Sequence, residues 1–160
     1  MDADSLLRHA YETAARDIVA TSGIWRDGVM VTGEKLSQHD RLVDAAYTIS
    51  AARRELVGEY RDFMEAYYTP PVAQWREAKE LAVKMLSATL ADHHRGDRWH
   101  ICDITRKYCG IKPHHDFDWW QKHNGESERT IRRRTAQVCH NLDDIYQRMI
   151  AIVSGLHFGR

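Results

Sequence analysis

Four arginines fall within six residues, Arg129, Arg132, Arg133 and Arg134, just after Ser127 and on either side of Thr130. A guanidinium is permanently charged and presents its N–H donors as a planar fork. It therefore pairs with a phosphate by charge and with a guanine edge through two parallel hydrogen bonds. Ser127 is placed to cap a helix and to meet a phosphate, and Thr130 to reach a base edge. These six residues form the candidate nucleic-acid-binding set. If three or four phosphates are neutralised, affinity should fall on the order of 100-fold between 50 and 200 mM salt. The ordinary alternative is a solvated, arginine-rich helix start with no ligand.

The elements around this segment decide whether it is presented. Asn124-Gly125 is a turn signal, because both residue types tolerate left-handed backbone. Before it a short helix is predicted from Asp116 to Asn124, with Phe117, Trp119 and Trp120 as its apolar content. Before that, a helix from Ile101 to Cys109 is stopped by Gly110 and followed by Lys112-Pro113. Three helices, the last two joined by a short glycine-containing turn, make a helix-turn-helix, whose final helix lies in the major groove with its N-terminal residues on base edges. Ile131 must then turn back toward the partner helix, and Arg134 stands where many such helices carry a second apolar residue. The long helix also carries a heptad-like seam, Ile131, Thr135, Val138, Leu142, Ile145, Met149 and Ile152. That seam needs a partner, either the N-terminal helices or the same helix in a second subunit, which makes a homodimer a candidate assembly.

The N-terminal part reads as helical throughout. A first helix is expected from Ser5 to Thr21, its apolar face made by Leu6, Leu7, Ala10, Tyr11, Ala14, Ile18 and Val19. A hairpin or ordered loop is expected from Ile24 to Val31 around Asp27-Gly28. Helical spacing resumes at Ser37 and runs to about Tyr68, with Gly58 marking a break. Thr69-Pro70-Pro71 ends that element. The next helix, Val72 to Leu90, shows an apolar set of Trp75, Ala78, Leu81, Ala82, Met85 and Leu86. Asp92 to Arg98 is polar and turn-like, and it divides the chain into an N-terminal helical subdomain, 1–94, and a helix-turn-helix subdomain, 95–160.

Composition agrees with a globular protein: 43% of the 160 residues are hydrophobic and 29% charged. The formal net charge of zero conceals an asymmetry, with 11 basic and 15 acidic residues up to His94 and 12 basic and 8 acidic beyond it. A cationic C-terminal part suits a polyanionic partner. The acidic Met1–Asp4 opening is no signal peptide, and no apolar run approaches the roughly 18–20 residues that span a bilayer. With three cysteines, Cys102, Cys109 and Cys139, a disulfide framework is not expected, and a cytoplasmic protein without membrane contact is.

Other chemistry was weighed on the same terms. His100, Cys102, Cys109, His114, His115, Cys139 and His140 contain enough donors for a zinc site, but zinc sites usually show a close cysteine pair, and six residues separate Cys102 from Cys109. Asp92-His93-His94 is like a phosphoesterase metal motif, out of its α/β setting. His114-His115-Asp116-Phe117-Asp118 could serve a divalent ion in a nuclease, or simply cap a helix with acidic first-turn residues. No phosphate-binding glycine loop, nucleophile elbow or paired carboxylates are visible. Neither a cofactor nor a catalytic residue is expected, and the cysteines read as small buried apolar side chains. Trp119 and Trp120 point about 100° apart on a helix, so one can anchor the core while the other meets a nucleic acid or a protein; the ordinary and favoured reading is two core aromatics at a helix–helix junction.

Ser127-Glu-Arg-Thr-Ile-Arg-Arg-Arg134 resembles recognition-helix starts in phage and bacterial regulators, including the fourth region of sigma factors. The stretch Asp44 to Tyr68, rich in acids and tyrosines, is similar to the region preceding that module in Q-type late-gene antiterminators of phages. The resemblance implies an all-α protein that reads promoter-proximal double-stranded DNA through a C-terminal helix-turn-helix and touches RNA polymerase elsewhere. Two other readings stay open: a helical oligomerising protein of phage assembly or packaging, and a metal-dependent nuclease.

Overall fold

Short polar side chains open four of the helices. Asp2 accepts from the Ser5 N–H at 2.8 Å, Asp97 from Trp99 at 2.8 Å, Asp116 from Trp119 at 2.8 Å and Ser127 from Thr130 at 3.2 Å. Each satisfies an N–H that the first helical turn leaves without an internal partner. The computed structural model describes residues 2–24 and 33–156, with side chains over 2–16 and 38–156. Among these residues the chain is all-helical: α1 (Ala3–Ile24), α2 (Gly33–Glu55), α3 (Glu59–Tyr68), α4 (Arg76–His93), α5 (Arg98–Tyr108), α6 (Phe117–His123) and α7 (Glu128–Ser154). A 3-10 turn, Ala73–Trp75, leads into α4. The hairpin expected up to Val31 lies outside the described residues, apart from Ile24, which closes α1. So do the side chains of Ile18 and Val19.

α2 starts at Gly33, four residues before the expected Ser37, and the break at Gly58 separates it from α3. One buried cluster joins Leu7 of α1, Ile49 of α2, Phe63 of α3, Leu86 of α4, Ile101 of α5 and Leu142 of α7. The turn between α4 and α5 falls at the expected boundary of residues 94 and 95, and the core runs across it. An aromatic group bridges the same boundary. The Phe63, Tyr67, Tyr108 and Tyr146 rings of α3, α5 and α7 lie 5.3–6.1 Å apart in edge, tilted and stacked pairs, geometry that suits the ring quadrupoles.

The α7 seam has its partner inside the chain. Ile131, Val138, Leu142, Ile145, Met149 and Val153 are buried, and the helix packs on α1, α2, α3, α5 and α6. At its ends the stripe departs from the expected heptad. Arg134 is buried where Thr135 was expected, and Val153 where Ile152 was; Ile152 is exposed. An unsupercoiled helix drifts off a seven-residue repeat, which accounts for the slip at Ile152.

The buried face of α4 also differs from the expected one. Leu81 and Met85 face solvent, and the stripe facing the core is Lys79, Ala82, Val83, Leu86, Ser87 and Leu90. Lys79 explains the displacement. Its ammonium, buried near the end of α3, donates to the carbonyls of Ala66 at 2.8 Å and Thr69 at 2.6 Å. It thus caps carbonyls that the last turn of α3 leaves unpaired, at the negative end of the helix dipole. Burial lowers the Lys79 pKa from its ordinary value. A cation inside the core hides the true stripe from a reading based on apolar residues. No helix among the described residues is long and apolar enough to cross a membrane.

Candidate nucleic-acid interface

The segment that presents the arginines is built around one bend. Gly125 has φ +64°, a left-handed conformation that a Cβ disfavours. Asn124 before it keeps φ −93°, so Gly125 alone carries the turn. Ser127 then opens α7, its Oγ accepting from the Thr130 N–H and meeting the Thr130 hydroxyl at 2.9 Å. Ile131 is fully buried, which fixes the rotation of the helix and leaves Arg129, Arg132 and Arg133 exposed.

Arg134 does not join them. It was expected among the outward contacts, and its guanidinium is buried instead. It forms an ion pair with Glu126 in the α6–α7 turn, donates to His100 Nδ1 of α5 at 3.2 Å, and packs against Gly96 in the α4–α5 turn. Glu126 is held from its other oxygen by the Asn124 amide at 2.9 Å. The reason is periodicity: Arg134 lies three residues after Ile131 and four before Val138, on the core stripe. A buried guanidinium must be paired, and here one side chain ties together two turns and a helix. An arginine has donors only, so His100 Nδ1 must supply a lone pair and carry its proton on Nε2. Burial, and secondly the Arg134 charge, lower the His100 pKa. The Arg134 hydrogen bond holds the Glu126 carboxyl below the usual carboxylate range.

The exposed arginines differ among themselves. Arg132 pairs with Glu128 one turn back at 2.6 Å and lies 5.5 Å over the Phe117 ring. Both ends of that pair are more than half exposed, so it stabilises by about 0–1 kcal/mol and yields easily to a phosphate. Among the described residues, Arg129 and Arg133 meet no acidic partner. Arg133 and Thr130 line a cleft of about 700 Å³ together with Gln137 and with His93, His94 and Arg95 from the end of α4. These last four were not singled out as nucleic-acid contacts from the sequence: Gln137 lies beyond the opening turns of α7, and His93, His94 and Arg95 belong to a distant turn. His94 Nε2 meets the Asn141 amide at 3.0 Å, and burial lowers its pKa.

A second cleft, about 650 Å³, lies across the same two turns. Asp103 of α5 organises it. The buried carboxylate accepts from the backbone N–H groups of His114 at 2.7 Å and His115 at 3.1 Å, and from Trp120 Nε1 at 3.0 Å. Trp120 is thereby the buried anchor of the tryptophan pair. Trp119 is half-buried and stacks with His115 (centroids 3.7 Å, interplanar 11°) and with His123 (4.7 Å, 12°). The sequence signal for this ladder is the spacing of four between Trp119 and His123, one turn of α6, with His115 just ahead of the Asp116 cap. Trp99, 70% exposed, borders the same cleft.

The histidine and cysteine residues raised for zinc are dispersed over this frame. No three His, Cys, Asp or Glu side chains among the described residues are grouped to hold a metal ion. The cysteines are free, and burial pushes the Cys109 thiol up to about 12, so it packs as a small neutral side chain. In the His114–Asp118 segment, Asp116 caps α6 rather than pointing into a ligand group. The chain matches no protein-family model, no curated protein and no solved structure.

Proposed function

We propose that this protein binds duplex DNA with the opening turn of α7 and acts in transcription control. The observation carrying this reading is the separation of the arginines. Ile131 and Arg134 hold the helix to the core, while Arg129, Arg132 and Arg133 remain exposed beside a cleft that adds Arg95 and two histidines. Cations gathered on one face, with no acidic partner for two of them, suit a polyanion. The bend at Gly125 sets this face at the start of a long, well-anchored helix, as a recognition helix requires. The likeness of Ser127–Arg134 to phage and bacterial regulators supplies the transcription context and names RNA polymerase as the expected second partner. Oligomerisation through the α7 seam has less support, because the chain's own helices cover that seam.

The test is a mobility shift with duplex DNA across a salt series. Binding should weaken on the order of 100-fold between 50 and 200 mM salt if three or four phosphates are contacted. Replacing Arg129, Arg132 and Arg133 together by Ala should abolish the shift in a variant that melts as the parent does. Undiminished binding by that folded variant refutes the assignment.

A further inference from the structure

Trp99 at the start of α5 exposes most of an indole to solvent, and tryptophan is enriched at interaction surfaces. Facing the same cleft is the His115–Trp119–His123 ladder, three rings stacked within 12° of parallel. The ladder is braced from the side. Trp120 meets Trp119 nearly at right angles (4.9 Å, 85°) and is itself pinned through Nε1 to the buried Asp103. His115 and His123 are exposed, so the stack offers aromatic surface to the cleft that Trp99 also lines. The cavity of about 650 Å³ falls in the range of small-molecule sites, roughly 300–1,000 Å³.

What such an occupant is follows from the neighbouring cleft. The 95–97 turn and the 124–126 turn wall both cavities: Arg95 and Glu126 face the cationic one, Asp97 and Asn124 the aromatic one. A strand held by its phosphates at Arg95 and Arg133 has its adjoining base beside the aromatic cleft. Every nucleobase has a π-face, and stacking on protein aromatics is a sequence-tolerant way to hold one. A base inside an intact duplex is already stacked on its neighbours, so the occupant must be unpaired. We infer that the Trp99 cleft receives one unpaired base of the DNA strand whose phosphates the cationic cleft holds. The protein then prefers a junction of duplex and single strand to an uninterrupted duplex. This rests on the DNA-binding reading above, and the two are separable.

The probes are a blunt DNA duplex, the same duplex with a short single-stranded tail carrying 2-aminopurine next to the junction, the same tail with an abasic residue there, and the tail strand alone. Mobility shift gives affinity and 2-aminopurine fluorescence reports stacking. The tailed duplex should bind about tenfold tighter than the blunt one, with the fluorophore quenched, and the abasic tail should lose the gain. Trp99→Ala, a change at an exposed position, should remove both gain and quenching while leaving blunt-duplex affinity unchanged; Trp99→Phe should restore part of each. Equal affinity for blunt and tailed duplexes without quenching overturns the inference and leaves the duplex reading standing. A gain that survives the abasic tail assigns it to phosphates alone and also overturns it. Trp99-dependent quenching by the free tail, without duplex binding, supports the cleft and refutes the duplex reading. Failure to bind any probe refutes both.

Discussion

Replacing Arg134 by Ala separates a residue that builds the proposed DNA-binding surface from one proposed to touch DNA. The change removes an ion pair to Glu126, a hydrogen bond to His100 and the packing of the guanidinium on Gly96. A hydrogen bond to a charged partner contributes about 1.5–3 kcal/mol and a neutral one about 0.5–1.5 kcal/mol. The Glu126 side chain is 31% exposed, so water recovers part of what its carboxylate loses, and the net cost is about 2–3 kcal/mol. In a chain of 160 residues each kcal/mol lowers Tm by about 2–4 °C, which gives a fall of about 5–10 °C. Thermal melting by circular dichroism reads this directly, with Arg133→Ala as a surface control expected within about 0.5 kcal/mol of the parent. The salt dependence of DNA binding should order the two variants the other way. Below both melting transitions, Arg133→Ala should reduce the slope of log affinity against log salt by about 0.9, and Arg134→Ala should leave it unchanged. An Arg134→Ala protein that melts like the parent but loses a phosphate contact refutes the placement of this side chain.

Gly96→Ala acts on the same group from the other side. Gly96 has φ +136°, and a Cβ there would overlap the Arg134 guanidinium, so a loss of about 1–3 kcal/mol is expected by denaturant melts. Combined with Arg134→Ala, the two changes should cost clearly less than their sum, because the overlap disappears with the guanidinium. Asp103→Ala leaves Trp120 Nε1 and two backbone N–H groups without their acceptor. The expected loss is about 2–4 kcal/mol, with altered tryptophan fluorescence and near-ultraviolet circular dichroism; unchanged spectra would rule out Asp103 as the organiser of α6. The lowered His100 pKa sets a pH dependence. The unfolded chain takes up the proton below its ordinary value of 6.5 while the folded protein resists it. This contribution to stability is therefore complete above pH 6.5 and is lost as pH falls toward the folded pKa. Melting temperature followed downward from pH 7.5 should show that early loss in the parent, and less of it in His100→Asn.

Much of the architecture was legible because the local signals agreed with one another. Asp116 and Ser127 cap where capping chemistry puts them, and Gly58, Pro70-Pro71 and Gly125 divide the helices; Asp97, expected in the turn, caps α5 and starts it at Arg98, three residues before the expected Ile101. The misplaced stripes of α4 and of the start of α7 have a common cause: polar residues placed inside the core. On α4 the buried stripe begins at Lys79, whose ammonium caps α3, so counting apolar side chains alone points toward Leu81 and Met85. On α7 the stripe includes Arg134, and a guanidinium with a partner in another turn looks, in sequence, like one more free cation. In both cases the pairing group is distant along the chain. It is a carbonyl group of α3 for Lys79, and Glu126 and His100 for Arg134.

The position of Arg134 was nonetheless available in principle. It occupies the place where similar recognition helices carry an apolar residue, and the spacing from Ile131 to Val138 requires something there to face inward. An inward arginine is tolerable only with an acid close by and a small residue beneath it, and Glu126 and Gly96 are those two. Their presence changes how the whole segment should be understood. The inward guanidinium fixes the angle at which the chain leaves the Gly125 bend, and so fixes where Arg132 and Arg133 stand relative to Arg95. A methionine of similar length at this position would keep the packing but leave Glu126 and His100 without their partner, so most of the cost of Arg134→Ala should remain. Arg134→Met should therefore melt close to Arg134→Ala and, below that transition, bind DNA more weakly than the parent, since the α4–α5 and α6–α7 turns are no longer held in register. If it binds as tightly as the parent, packing alone aligns the two turns and the ion pair has no positioning role.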